Sequence, residues 1–154
     1  MAADKSGQIK IVAENRKARF DYTIIDTYEA GVQLMGTEVK SLRNGSCQLK
    51  DGFCEFHGDE LYMLKVHIAE YKQGAHANHL LERRRKLLLH RKEIDQLLGK
   101  VKERGFTIVP LKVYFKGGFA KVEIALVKGK KDFDKRESIK DRDVQRDLEQ
   151  RRRK

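Results

Sequence analysis

Cysteine is scarce in this 154-residue chain, which has only Cys47 and Cys54. Two thiols are too few for a disulfide framework, and they lack the C-x-x-C spacing of a zinc or redox motif. His76 and His79 make one histidine pair with no second pair to complete a metal site, so neither metal nor cofactor is expected. No apolar run approaches the roughly 20 residues of a membrane helix. The first residues, Met1-Ala2-Ala3-Asp4-Lys5-Ser6, hold no apolar signal core. A cytoplasmic protein is the expectation, and the two thiols fit a reducing compartment. A Gly-rich phosphate loop, a nucleophile elbow and a zincin helix are all missing, so the chain is not expected to be an enzyme.

What the chain has in excess is positive charge. Lys and Arg number 34 against 23 acids, a formal net charge of +11 with a pI near 9.7. A polyanionic partner is favoured, because each neutralised phosphate releases condensed counterions. Membrane-surface binding is the weaker rival, since no basic stretch also carries a wide apolar helical face. A generally basic soluble protein is the bland alternative.

Period-two patterns dominate from Ile9 onward. Ile9-Lys10-Ile11-Val12 reads as a strand, and Phe20, Tyr22 and Ile24 as one buried face of another. Ala30-Gly31 is expected to turn the chain into Val32–Met35. The run Gly36–Arg43 predicts a short helix with Thr37 as N-cap and Asn44-Gly45 as its stop. Further β-rich runs cover 47–56 and 60–68, and 73–78 should be an exposed loop. Ile94, Leu97, Leu98 and Val101 have the spacing of an amphipathic helix, with Gly105 expected at its C′ position after Lys102 and Arg104. Then Val109, Leu111, Val113 and Phe115 alternate, Gly117-Gly118 turns, and Val122, Ile124 and Leu126 alternate again. About six mostly antiparallel strands with two to three short helices predict a mainly β fold, a small OB-like barrel.

Beyond Val127 the composition breaks. Residues 128–154 hold 12 Lys or Arg and 7 Asp or Glu, with Phe133, Ile139, Val144 and Leu148 as the only large apolar side chains. Four such residues cannot offset the ordering entropy of the segment. The expected division is a flexible lead-in over 1–8, a body over 9–130 and a basic tail over 131–154 that orders only on a partner.

Three clusters carry candidate chemistry. Arg83-Arg84-Arg85-Lys86 gathers four cations that repel one another unless an anion lies opposite, and arginine offers a fork for phosphate. Asn15-Arg16-Lys17-Ala18-Arg19 places three cations at a strand start, a pattern also common in a basic surface turn. Glu38 stands near Lys40 and Arg43; a carboxylate there could accept from base amino groups or 2′-hydroxyls, or form an internal ion pair. Tyr28, Tyr62 and Tyr71 read as core or rim residues, with stacking on bases the alternative.

The runs NRKARFDY (15–22), GTEVKSLR (36–43), RRRKLLLH (83–90) and KVEIALVKGKKDFDKRESIKDRD (121–143) together resemble the small protein B family, the SsrA-binding proteins of bacterial trans-translation. The resemblance spans roughly residues 9–146. It implies an OB-like barrel that binds the tRNA-like domain of transfer-messenger RNA (tmRNA) and enters stalled ribosomes. The tail would then occupy the vacant mRNA channel near the decoding centre of the small subunit and become helical. It implies indirect dealings with alanyl-tRNA synthetase and elongation factor Tu, no catalysis by the protein, and a monomer. Carried over by motif, the RNA face comprises Asn15, Lys17, Arg19, Glu38, Lys40, Arg43, Arg83, Arg85, Lys86 and Lys128. The ribosome-binding tail comprises Phe133, Asp134, Lys135, Arg136, Lys140, Arg142 and Arg146, Phe133 being suited to stacking on a base. Leu81 stands where the family usually has proline, and Val144 where some members carry an aromatic. A structural ribosomal protein is the rival reading.

Overall fold

A computed structural model describes residues 9–72, 78–103 and 105–129. The expected lead-in over 1–8, residues 73–77 of the exposed loop, Arg104, and the tail from 130 onward lie outside the described residues. The described elements are β1 (Ile9–Glu14), α1 (Arg16–Asp21), β2 (Tyr22–Val32), α2 (Gly36–Arg43), β3 (Cys47–Gln48), β4 (Phe53–His57), β5 (Glu60–Leu64), β6 (His67–Ile68), β7 (Arg85–Leu88), α3 (Arg91–Val101), β8 (Phe106–Lys116) and β9 (Phe119–Gly129).

The predicted mainly β barrel is present. Six antiparallel strands close a ring in the order β8-β4-β5-β7-β2-β9, with β9 pairing back onto β8. The ring is uneven: β8 gives Lys112–Lys116 to β1, and only Ile108 of the same strand is paired with β4, at Cys54. Strands β3 and β6 form a separate two-stranded ribbon. The interior is filled by Leu42, Leu61, Met63, Ile68, Leu87, Leu97, Ile108, Ile124 and Leu126, each nearly or fully inaccessible. Burying such side chains is worth about 1.5–3 kcal/mol apiece, the main force closing a barrel of this size.

Several local expectations need correction, each for a physical reason. Residues 16–21 are helical rather than a turn leading into a strand. The Asn15 side-chain oxygen accepts from the Ala18 N–H at 3.2 Å, which starts a turn of helix and buries Ala18. Phe20 therefore belongs to α1, and the strand begins only at Tyr22. Ala30-Gly31 is not a turn: Gly31 is paired with Leu88 on one side and Lys121 on the other, and Leu88 Cβ would lie 3.4 Å from a Cβ on Gly31. Glycine marks a close approach of strands there. Helix α3 ends at Val101, and Gly105, with φ of +90°, leads into β8 instead of capping the helix.

The last hairpin turns on two left-handed glycines, Gly117 (φ +58°) and Gly118 (φ +85°), as its spacing predicts. Its inward alternation is broken once. A register shift between Pro110 and Lys112 reverses the parity of β8. Val113 and Phe115 therefore face the main core, whereas Val109 and Leu111 pack with Ala18, Ala125 and Val127 in a second cluster under α1. A bulge thus gives α1 its seat on the barrel.

Gly52, between β3 and β4, is the tightest glycine. A Cβ there would lie 2.6 Å from Val66 Cγ2, 3.1 Å from Pro110 Cγ and 3.2 Å from the Leu49 carbonyl oxygen. Gly52→Ala is expected to lower stability by about 1–3 kcal/mol through overpacking. Urea unfolding followed by circular dichroism checks this, and an unchanged midpoint would mean that the turn yields freely.

Candidate nucleic-acid interface

The chain's basic runs do not lie flat on the surface. Arg85 is on β7, where side chains alternate across the strand, so it points inward while Arg84 and Lys86 point outward. Its guanidinium is fully buried and clasps three acceptors. Nε donates to Glu38 Oε2 in a very short contact, Nη1 to the Val66 carbonyl at 2.7 Å, and Nη2 to the Leu81 carbonyl at 3.1 Å. Arg83 joins from the rim, with Nη2 at 2.5 Å from Glu38 Oε1 and 3.3 Å from the Gln33 carbonyl. Two of the four clustered cations thus find their anion inside the protein.

Glu38 is that anion, and α2 holds it. The helix starts after Met35, whose N–H donates to Glu38 Oε1 at 2.7 Å. Glu38 itself therefore ties the first turn, and Thr37 is not the N-cap. The Thr37 hydroxyl lies instead 2.9 Å from His79 Nδ1, while His79 Nε2 donates to the Ile68 carbonyl at 2.9 Å. Ser41 donates to the Ala69 carbonyl at 2.6 Å, and the helix stops at Asn44 before Gly45 at φ +78°. Burial pushes the Glu38 carboxyl up. The hydrogen bonds from Arg83, the Met35 amide and Arg85 outweigh it and hold the group below the usual carboxylate range.

The remaining candidate cations stand at the surface. Lys40 lies over the Tyr71 ring at 5.3 Å, and Arg43 over Phe115 at 5.7 Å. Lys17 and Arg19 are exposed on α1, and Lys128 sits over Phe106 at 5.7 Å. Lys86 reaches Glu60 at 3.1 Å, and Arg84 stacks on Tyr62 at 4.4 Å. Asn15 is buried: besides capping α1, its Nδ2 donates to the Pro110 carbonyl at 3.1 Å and to the Leu49 carbonyl at 3.3 Å. The structure thus brings Glu38, Arg83 and Arg85 together inside, while Lys17, Arg19, Lys40 and Arg43 stay outside. Strands β1, β3 and β6 and helix α2 are linked by successive contacts, and α1, which follows β1 in the chain, packs on β2 and β8.

The sequence reading missed Lys50, which lines the same cleft as Lys17, along with the stacking of Arg84 on Tyr62 and the role of His79. Lys50 falls in the run 47–56 expected to be β-rich, which the structure breaks at the turn between β3 and β4, so no pattern tied it to Lys17. The six tail positions from Asp134 to Arg146, and Phe133, lie outside the described residues.

Among the described residues no group of three or more His, Cys, Asp or Glu is placed to hold a metal ion. Burial pushes the Cys47 thiol up to about 11 against the opposing charge of Arg85, and drives Cys54 higher still. Among the described residues no helix is long and apolar enough to cross a membrane.

Comparison with known proteins then fixes the lineage. The model of the SmpB protein family matches residues 12–154. The chain belongs to the SmpB family. The SsrA-binding protein of Bdellovibrio bacteriovorus is 62% identical over 139 residues, 90% of this chain and 91% of that one. That of Pseudarthrobacter chlorophenolicus is 55% identical over 148 residues, 94% of each chain. A chain in a solved structure of tmRNA–SmpB at the centre of the bacterial ribosome is 52% identical with a TM-score of 0.66, covering 78% of this chain and 85% of that chain. Membership of the SmpB family agrees with the resemblance carried by the four sequence runs.

Glu38 fixes a testable pH dependence. Its folded-state carboxyl is held low, so its contribution is complete above the ordinary carboxylate range and is lost as pH falls through the depressed value. Glu38→Gln leaves Arg85 buried without its anion and is expected to cost about 3–5 kcal/mol. Urea midpoints against pH check both effects: the wild type should lose stability on acidification more steeply than Glu38→Gln. Parallel curves would place the acid sensitivity elsewhere.

Proposed function

We infer that this chain is an SsrA-binding protein that escorts tmRNA to stalled ribosomes and catalyses no reaction itself. The observation that supports this best is family membership over nearly the whole chain, joined to exposed cations on a rigid barrel. Lys17, Arg19, Lys40 and Arg43 are assigned to direct contact with RNA phosphates, and Lys86 and Lys128 to its margins. Glu38, Arg85 and Asn15 have too little exposed surface for a large direct share. Their assigned role is to hold α2, the 81–85 segment and α1 in place. Arg83, partly exposed and already bonded to Glu38, serves at the border between the two groups.

The partner within tmRNA is assigned as its tRNA-like domain, bound by a monomer in the bacterial cytoplasm. The tail over 131–154 is assigned to the decoding centre and mRNA channel of the small subunit. There Phe133 stacks on a base, and Lys135, Arg136, Lys140, Arg142 and Arg146 face rRNA phosphates, with Asp134 completing the motif. Contact with alanyl-tRNA synthetase and elongation factor Tu would run through the RNA.

Two measurements test this division. Lys40→Ala with Arg43→Ala should weaken tmRNA binding and make its salt dependence shallower by about two phosphate contacts, with stability lowered by no more than about 0.5–1 kcal/mol for each cation–π contact. An unaltered salt slope would move the contact off α2. Ending the chain at residue 130 should leave tmRNA affinity nearly intact while abolishing tagging of stalled chains in a reconstituted translation system. A large loss of tmRNA affinity in that variant would overturn the separation of body from tail.

A further inference from the structure

Three clefts flank α1, but their linings differ. One, rimmed by Arg16, Arg19 and Lys112, is small, and a second runs along β1 and β3 past Gln48. The third, of about 340 Å³, lies between α1 and the turn that carries Lys50-Asp51-Gly52. It alone of the three has aromatic rings, Tyr22 and Phe53, beside two lysines, Lys17 and Lys50, and a carboxylate, Asp51. Its volume is in the range of small-ligand sites.

The chemistry of this lining is unbalanced in a specific way. Among the described residues Lys17 and Lys50 have no ion-pair partner, although both border one cavity. Two ammonium groups without an ion-pair partner on one cleft favour an anion between them, with Asp21 and Asp51 the countercharges in the same lining. A bare phosphate would leave the rings unused, whereas every base offers a face that stacks on an aromatic side chain. Asp51 can only accept hydrogen bonds, and the exocyclic amines of adenine, cytosine and guanine offer it two donors on one nitrogen where uracil offers only its single N3–H. Asp21, on the α1 wall, has an interaction of its own. The turn packs closely on the barrel at Gly52, where an added Cβ would meet Val66, Pro110 and the Leu49 carbonyl.

We propose that this cleft seats one unstacked, amino-bearing nucleotide of the RNA partner, with its phosphate between Lys17 and Lys50 and its base against Phe53 and Tyr22. The proposal rests on the RNA-binding reading above. Position gives it a use. Tyr22 is paired with Gly129, the last residue of β9, and Thr107 in the same lining with Val127. A nucleotide held here is anchored at the end of the barrel from which the tail departs, so the RNA and the tail share one fixed reference point.

The test is a titration of the full-length protein with AMP, CMP, GMP and UMP, followed by amide chemical shifts. The expected result is movement of the Lys50–Phe53 and Thr107 signals, with the three amino-bearing nucleotides binding roughly fivefold or more tightly than UMP. Asp51→Asn should erase that preference, and Phe53→Leu should weaken binding of full tmRNA about five- to tenfold, the order expected for one lost stack. No shift at these residues with any nucleotide, together with full tmRNA affinity in Phe53→Leu, would overturn the cleft while leaving the RNA-binding reading intact. Failure of the wild type to bind tmRNA would sink that reading instead. Phe133→Ala supplies the remaining control. If it moves the same amide signals without nucleotide, the chain's own tail fills the cleft and the proposal is wrong.

Discussion

The carboxylate of Glu38 is the point where distant parts of the chain are tied together. It closes the first turn of α2 through the Met35 amide, receives Arg85 from β7, and receives Arg83 from the segment before that strand. Arg85 in turn reaches the carbonyls of Val66 and Leu81, so the segment before β6, the segment before β7 and α2 are pinned by one guanidinium. A buried ion pair contributes little net stability against a hydrophobic alternative, but losing one partner is costly. Its effect here is placement: the outward cations of α2 stand on a helix that the inward carboxylate locks.

That arrangement explains why a run of four cations can exist in so small a protein. Adjacent like charges on a strand are tolerable when alternation sends them to opposite sides. Arg83 and Arg85 meet Glu38, whereas Arg84 lies on Tyr62 and Lys86 meets Glu60. The motif that reads as a phosphate fork is half a structural clasp. Exposed cations outside this clasp stand on α1, on the turn at Lys50 and on the outer face of α2.

The same economy holds at α1. Asn15 caps it, and the bulge at Leu111 turns Val109 and Leu111 outward to receive Ala18. Without that reversal of parity, the six-residue helix would have no apolar seat. Its cations would then hang on a loop instead of lining clefts of fixed shape. Rigid placement matters for RNA, because a contact held in advance loses less entropy on binding.

The sequence by itself determined the charge excess that favours a polyanion, the β-rich barrel, the presence of α2 and its stop at Asn44-Gly45, the Gly-Gly hairpin and the family resemblance. These are local or additive properties: net charge sums over residues, alternation repeats every second residue, and a short motif carries its own spacing. It mistook α1 for a turn, Gly31 for a chain reversal, Gly105 for a helix cap and Thr37 for an N-cap. Gly31 was decided by its pairing with the distant Leu88 and Lys121, and the seat of α1 by Val109 and Leu111. It could not choose between an RNA contact and an internal ion pair for Glu38, and it did not connect Lys17 with Lys50. Only the tertiary structure decided those points, since partners 45 and 47 residues from Glu38 meet it through strand order and helix packing, which no local pattern encodes.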